Sequence, residues 1–400
     1  MNIKRILLII VFFGHIINHS LYAQDTDKTE KKVQSLKPEV KFGGRIHYDF
    51  EFLNQKKDGE DYSFNGQEFR QVYITAIGTL TPHIKFKAEL DFAGSKIGYR
   101  DMYIKFTDIP TIGGNFMLGS QAEPTGMDML ASSNTIPFKE RTPMTATQSF
   151  RWNSGFGYEN FGLLKGKLGL QMTYGFNGKN TEGFTDATLE NGAHFVTRLF
   201  SPIFENKEKN KLVHFGMHYE NRKYTKNPSD YTLKFRPNNH MGAQISIPFT
   251  LLKKQQDYGL EWAVQNGAFS FQSEFEWAGY HTESNNYQIK GYYALVSYFL
   301  TGDHRSYKEG IFSRVNPSKN FDFDAKTWGA FEVLVRYSGL DYANVIPGEY
   351  NRKVSSWDFG LNWYFNSNAR IIYNYVITDL NQAGENHPLN QHLFRMQVDF

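Results

Sequence analysis

From Val40 the chain settles into a two-residue rhythm. Val40, Phe42, Gly44, Ile46, Tyr48 and Phe50 fall on one side, while Lys41, Gly43, Arg45, His47, Asp49 and Glu51 fall on the other. Successive side chains of a β-strand point to opposite faces, so this stretch predicts a strand with one apolar and one polar side. The rhythm returns at 71–76. After the tight break at Thr81-Pro82, Ile84, Phe86, Ala88, Leu90 and Phe92 oppose His83, Lys85, Lys87, Glu89 and Asp91, as in a hairpin. It continues at 101–106, 116–121, from 151, 168–176, 193–200 and 213–220. Later repeats are stronger: 258–264, then 269–277 after the turn Asn266-Gly267, then 331–337, 357–365, 371–377 and 391–400, while 291–300 is apolar on both sides.

One long segment breaks the pattern. Residues 122–150 carry three prolines and many small polar residues, which predicts an irregular loop, and loops of this length inside a compact fold tend to be functional. Counting 241–248 as a strand gives about 17 strands. A barrel with both ends of the chain on one side needs an even number, so 241–248 is placed in an outer loop from 221 to 257, leaving about 16. The short turns then share one side, at the cost of a long connection over 301–325 on that side.

Both ends of the sequence fit an exported barrel. Lys4 and Arg5, the apolar run 6–13 and Leu21-Tyr22-Ala23 read as a signal peptide over 1–23, followed by a polar tail over 24–39 and the barrel over 40–400. The closing strand alternates Phe394, Met396, Val398 and Phe400 with polar residues. It resembles the C-terminal assembly signal of bacterial outer-membrane barrels, which implies the barrel assembly machinery and outer-membrane lipid as partners.

Composition removes other classes. Mean hydropathy is -0.52 with no second long apolar run, which excludes a helical membrane protein, yet aromatics reach 16%, as interfacial girdles require. Cys is absent, excluding disulfides, thiolate catalysis and cysteine-ligated zinc. Of 44 Lys and Arg residues, 42 remain without Lys4 and Arg5, against 41 Asp and Glu. So balanced a chain has no global field for anions or nucleic acid, and any ion preference must come from charges placed along a pore. His214 and His218 have zinc-site spacing for a helix, but on a strand they lie about 13 Å apart. No P-loop, dinucleotide fingerprint or nucleophile elbow occurs, so no enzyme, cofactor or metal is expected.

Phe69-Arg70, Asp101-Met102-Tyr103-Ile104, the stretch 119–126, Ser132-Ser133, Phe138-Lys139-Glu140-Arg141 and Gly291-Tyr292-Tyr293 resemble, in order, signature stretches of the phosphate-selective porins O and P. So do Leu300-Thr301-Gly302-Asp303, Trp328-Gly329-Ala330-Phe331-Glu332, Arg336-Tyr337-Ser338, Gly360-Leu361-Asn362-Trp363-Tyr364 and Asn374-Tyr375-Val376. The resemblance covers nearly the whole mature chain. It implies an all-β transmembrane antiparallel β-barrel of about 16 strands, a homotrimer in the Gram-negative outer membrane, with 122–150 as a third outer loop folded inward to narrow the pore. Two departures stand out: Arg70-Gln71 replaces paired arginines, and Asp303 replaces Glu.

These readings imply passive diffusion of small anions such as phosphate, or of small hydrophilic solutes. The lumen cations expected are Arg45, Arg70, Lys85, Lys87, Lys105, Arg198 and Arg336, offset by Asp49, Glu89, Asp91, Asp101, Glu274, Glu276 and Glu332. Lys139, Glu140, Arg141 and Arg151 are the expected constriction residues. They either face the pore or pin the loop to the wall, and inward cations are also simply what any water-filled barrel shows. A barrel with a closed lumen, acting as an adhesin or structural protein, is the competing class.

Overall fold

The computed structural model describes residues 38–57, 60–94, 97–147, 152–176, 192–224, 229–343, 345, 352–382 and 385–400. The expected signal peptide lies outside the described residues, as does Arg151. The first nine strands are β1 (Glu39–Lys57), β2 (Glu60–Thr81), β3 (Ile84–Asp91), β4 (Gly98–Phe106), β5 (Asn115–Ala122), β6 (Trp152–Gly162), β7 (Leu168–Phe176), β8 (Ala193–Asn206) and β9 (Lys211–Lys223). The short β10 (Ser229–Phe235) precedes β11 (Ile245–Asn266), β12 (Phe269–Thr282) and β13 (Asn286–Phe299). Two small hairpins follow, β14 (Arg305–Lys308) with β15 (Ile311–Val315), and β16 (Phe321–Asp322) with β17 (Thr327–Trp328). β18 (Ala330–Asp341), β19 (Lys353–Tyr364), β20 (Ala369–Gln382) and β21 (Glu385–Asp399) complete the wall.

Each wall strand pairs antiparallel with its neighbours, and β21 returns to β1 with Asp399 opposite Arg45 and Leu389 opposite Gln55. Closure removes every edge, the only way a sheet can satisfy its backbone in hydrocarbon. Sixteen strands close the ring; the seventeenth, β10, pairs only with the outer end of β11. Residues 245–248 are therefore strand rather than loop, yet they belong to this outer hairpin and leave the barrel count even.

The apolar side of the alternation faces outward, with Phe42 78% and Phe400 73% exposed, while His47, Asp49 and Glu51 on the polar side are fully buried. Phe400 seats on β1 by exchanging backbone hydrogen bonds with Gly44 at 2.9 and 3.1 Å. The polar-inside rule fails at the outer end. There Leu233, Phe235, Ile247 and Phe249 of the β10–β11 hairpin pack on the inward side chains Tyr280, Ile289, Leu340, Val354 and Leu380. The hairpin tip crosses to the far wall, where the main-chain N–H groups of His240 and Met241 donate to the Glu51 carboxylate at 2.8 and 2.9 Å. Asn238 donates to Asp358 and Asn239 to Gln391, both at 2.8 Å.

The long connection after β13 also packs inward. Phe312 of β15 meets Met127, Leu212 and Ala263, and Arg305 of β14 reaches Glu332 at 2.7 Å. This explains a connection of that length on the short-turn side: it is folded into hairpins with contacts of their own.

Candidate pore constriction

Two β-bulges shape the wall where β1 to β4 meet the long segment after β5. Opposite β1, His47 pairs with Gln71 and Tyr48 with Phe69, so Arg70 is the extra residue. Opposite β3, Ala88 pairs with Met102 and Leu90 with Tyr99, leaving Arg100 and Asp101 to share one position. A bulge turns two consecutive side chains to the same face. Arg70 accordingly reaches Glu140 at 3.3 Å while Gln71 accepts a hydrogen bond from Ser133 at 2.7 Å, and both partners lie in the long segment. Arg100 pairs with Asp91 at 2.6 Å and stacks 4.6 Å from the Trp152 ring, while Asp101 pairs with Lys87 at 2.5 Å.

The backbone of the long segment has few regular partners of its own, and side chains of the wall supply them. Gln397 donates to the Asn134 carbonyl at 3.0 Å, Arg370 to that of Ile136 at 2.9 Å and Asn362 to that of Pro137 at 2.9 Å. Arg395 donates to the Lys139 carbonyl at 2.6 Å and Arg336 to that of Glu140 at 3.2 Å. Phe138 and Met144 bury against Tyr293, Leu295 and Leu334, which is why 291–300 is apolar on both faces.

The charged residues separate into two sets. Lys139 is fully buried, with its ammonium 2.9 Å from Asp49 and 2.5 Å from Glu51. Arg395 grips Asp49 through two hydrogen bonds at 2.7 and 2.8 Å and also reaches Glu140 at 2.9 Å. Burial acts to raise the Glu140 carboxyl, yet Arg70, Arg395 and Lys139 outweigh it and hold the group well below the usual carboxylate range. Arg198 binds Glu261 at 2.6 Å and Arg336 binds Asp358 at 2.5 Å, both within the wall, and Lys105 pairs with Glu159. Lys85 is exposed.

Arg141 differs. It donates to the carbonyls of Asp128 and Ala131 at 2.8 and 2.5 Å, and among the described residues it makes no ion pair. It borders a cavity of about 260 Å³ between the segment and the wall, together with Arg45, Lys87, Glu89, Asp101, Tyr73, Ser132, Ser133 and Thr135. Arg45 is bound to Glu89 at 3.1 Å and to the Ser133 hydroxyl at 2.7 Å. The cavity therefore presents three cations against two carboxylates, with hydroxyl donors around them. Arg100 is the wall cation that strict alternation misassigns to the lipid face; the doubled position at Arg100-Asp101 leaves no mark in the apolar pattern.

The profile of the family described as "Phosphate-selective porin O and P" matches residues 40–400. Porin O of Pseudomonas aeruginosa is 25% identical over 374 residues, covering 84% of this chain and 82% of that protein. An uncharacterised protein of Caulobacter vibrioides is 24% identical over 89% of this chain and 73% of its own length. Among solved structures, an anion-selective porin from Comamonas acidovorans aligns with a TM-score of 0.57 at 14% identity, covering 90% of this chain and all (100%) of that one. OmpT of Vibrio cholerae in a trimer form aligns at 0.53 with 13% identity, covering 91% and 99%. The solved structures are alike in fold, and the match over 40–400 shows that the chain belongs to the family of phosphate-selective porins O and P.

Proposed function

We propose that this outer-membrane porin is a passive channel preferring small anions, phosphate among them, and that the cavity beside Arg141 is its constriction. The observation that carries the reading is the Arg141 guanidinium, held by two carbonyls and not by a carboxylate, on a cavity already lined by Arg45 and Lys87. A guanidinium replaces part of an anion's hydration, and the low-dielectric wall concentrates its field. Lys139 and Glu140 then serve as anchors that fix where Arg141 stands. Three copies form the working assembly, in line with the trimer form of the OmpT neighbour.

Purified protein in a planar bilayer tests this. Discrete conductance steps are expected, and Arg141→Glu should move the reversal potential in a salt gradient toward cation preference. An unmoved potential would remove Arg141 from the constriction. A closed lumen is the second reading, favoured by the apolar packing under the β10–β11 hairpin, and a silent bilayer would select it.

A further inference from the structure

On the lipid face of the wall, Met217, Tyr258, Leu260, Phe275 and Trp277 border a groove of about 590 Å³. It exists because Gly279 occupies an outward position of β12, between the inward Ala278 and Tyr280. A Cβ there would meet the Gln256 carbonyl oxygen at 3.3 Å and His281 Nε2 at 3.5 Å, and nothing closer. The groove lies toward the end of the barrel that carries the segment between β5 and β6, opposite the end where Phe400 sits, and so faces the outer leaflet.

Charge accompanies it. Lys254 lies on the outward face of β11 beyond Tyr258, in register with His281 of β12. Lys290 is in register with Trp277 and holds its ammonium 5.8 Å from that ring centroid. Of the nearby acids, Glu283 is paired with Lys253 at 2.9 Å, and Asp341 stands in register with Lys290. An apolar trough in the hydrocarbon with Lys254 at its outer end and Lys290 beside it at the level of Trp277 matches an amphiphile whose negative charge lies toward the outer surface.

We propose that this groove binds the phosphorylated glycolipid of the outer leaflet. One acyl chain lies along Tyr258, Leu260 and Trp277 over Gly279, a phosphate is reached by Lys254 at the outer rim, and Lys290 extends toward it from beside Trp277. The proposal rests on the outer-membrane orientation but not on ion selectivity, and its readout is separate from conductance.

Native mass spectrometry of the full-length protein folded in detergent tests it, with bis-phosphorylated lipid A, dephosphorylated lipid A and phosphatidylglycerol as probes. Wild type should retain bis-phosphorylated lipid A. Gly279→Trp, which fills the groove, and the pair Lys254→Glu with Lys290→Glu should each bind it roughly tenfold more weakly. The other two probes should bind wild type more weakly than bis-phosphorylated lipid A. Heat-modifiable gel mobility confirms that each variant is folded, and the surface lysine pair carries the test if Gly279→Trp is not. Equal retention by wild type and folded variants would overturn the proposal, as would equal retention of phosphatidylglycerol. Loss of oligomers in Gly279→Trp would also overturn it, assigning the groove to a second copy of the chain.

Discussion

Lys139 and Arg141 stand two residues apart in one segment and do different work, because one is enclosed by carboxylates and the other by carbonyls. Removing one partner of a buried ion pair leaves an uncompensated charge. Lys139→Met should therefore destabilise the barrel by about 3 kcal/mol, read as a lower temperature of gel-mobility conversion. Retention of the wild-type temperature would contradict the enclosure. Glu140 adds a pH dependence. Its carboxyl is lowered from the ordinary 4.5, so its stabilisation is fully present above that pH and is lost as pH falls through the lower folded value. The stability gap between wild type and Glu140→Gln is expected to be flat above about pH 4.5 and to shrink below it. A gap that instead opened on acidification would reverse the sign of the argument. The facing of Arg45, Lys87 and Arg336 could be read from alternation alone. Their partners could not, since pairing depends on which strand lies across the barrel and on where the backbone bulges.

Strands were legible wherever one face meets lipid and the other meets water, because that contrast imposes the two-residue period. The outer half of β2 escaped notice, since Gln67, Asn65 and Ser63 leave it without an apolar face, and the bulge at Arg70 shifts the phase between it and the inner half. Hairpins inside the barrel escaped for a related reason: where the chain fills its own lumen, inward positions such as Tyr293, Leu295, Ile247 and Phe249 become apolar and the period disappears. The closing strand shows how tightly an element junction is specified. A Cβ on Gly44 would lie 2.6 Å from the Tyr73 carbonyl oxygen and 2.7 Å from the Phe400 ring. Gly44→Val should prevent Phe400 from seating and reduce the yield of heat-modifiable barrel, whereas an unchanged yield would show that closure tolerates a side chain there.

At the scale of the whole molecule, the chain that forms the barrel is nearly neutral, with 44 Lys and Arg against 41 Asp and Glu. Most wall arginines hold the structure together: Arg198, Arg222, Arg336 and Arg395 each bind a carboxylate, and three of them also cap carbonyls of the chain segments folded inward. Counting inward cations therefore overstates the attraction for anions; among the described residues Arg141 and Arg370 are held by carbonyls without an ion pair. The family and the barrel could be read from ordered motifs and alternation. The pairing of each charge could not, because a charge matters to a passing ion only when no neighbour neutralises it, and neutralisation is a property of the fold. The reversal potential of wild-type protein in a planar bilayer under a salt gradient tests this account most directly. A potential of the sign set by anion flux is predicted, and one set by cation flux, from a conducting channel, would contradict it.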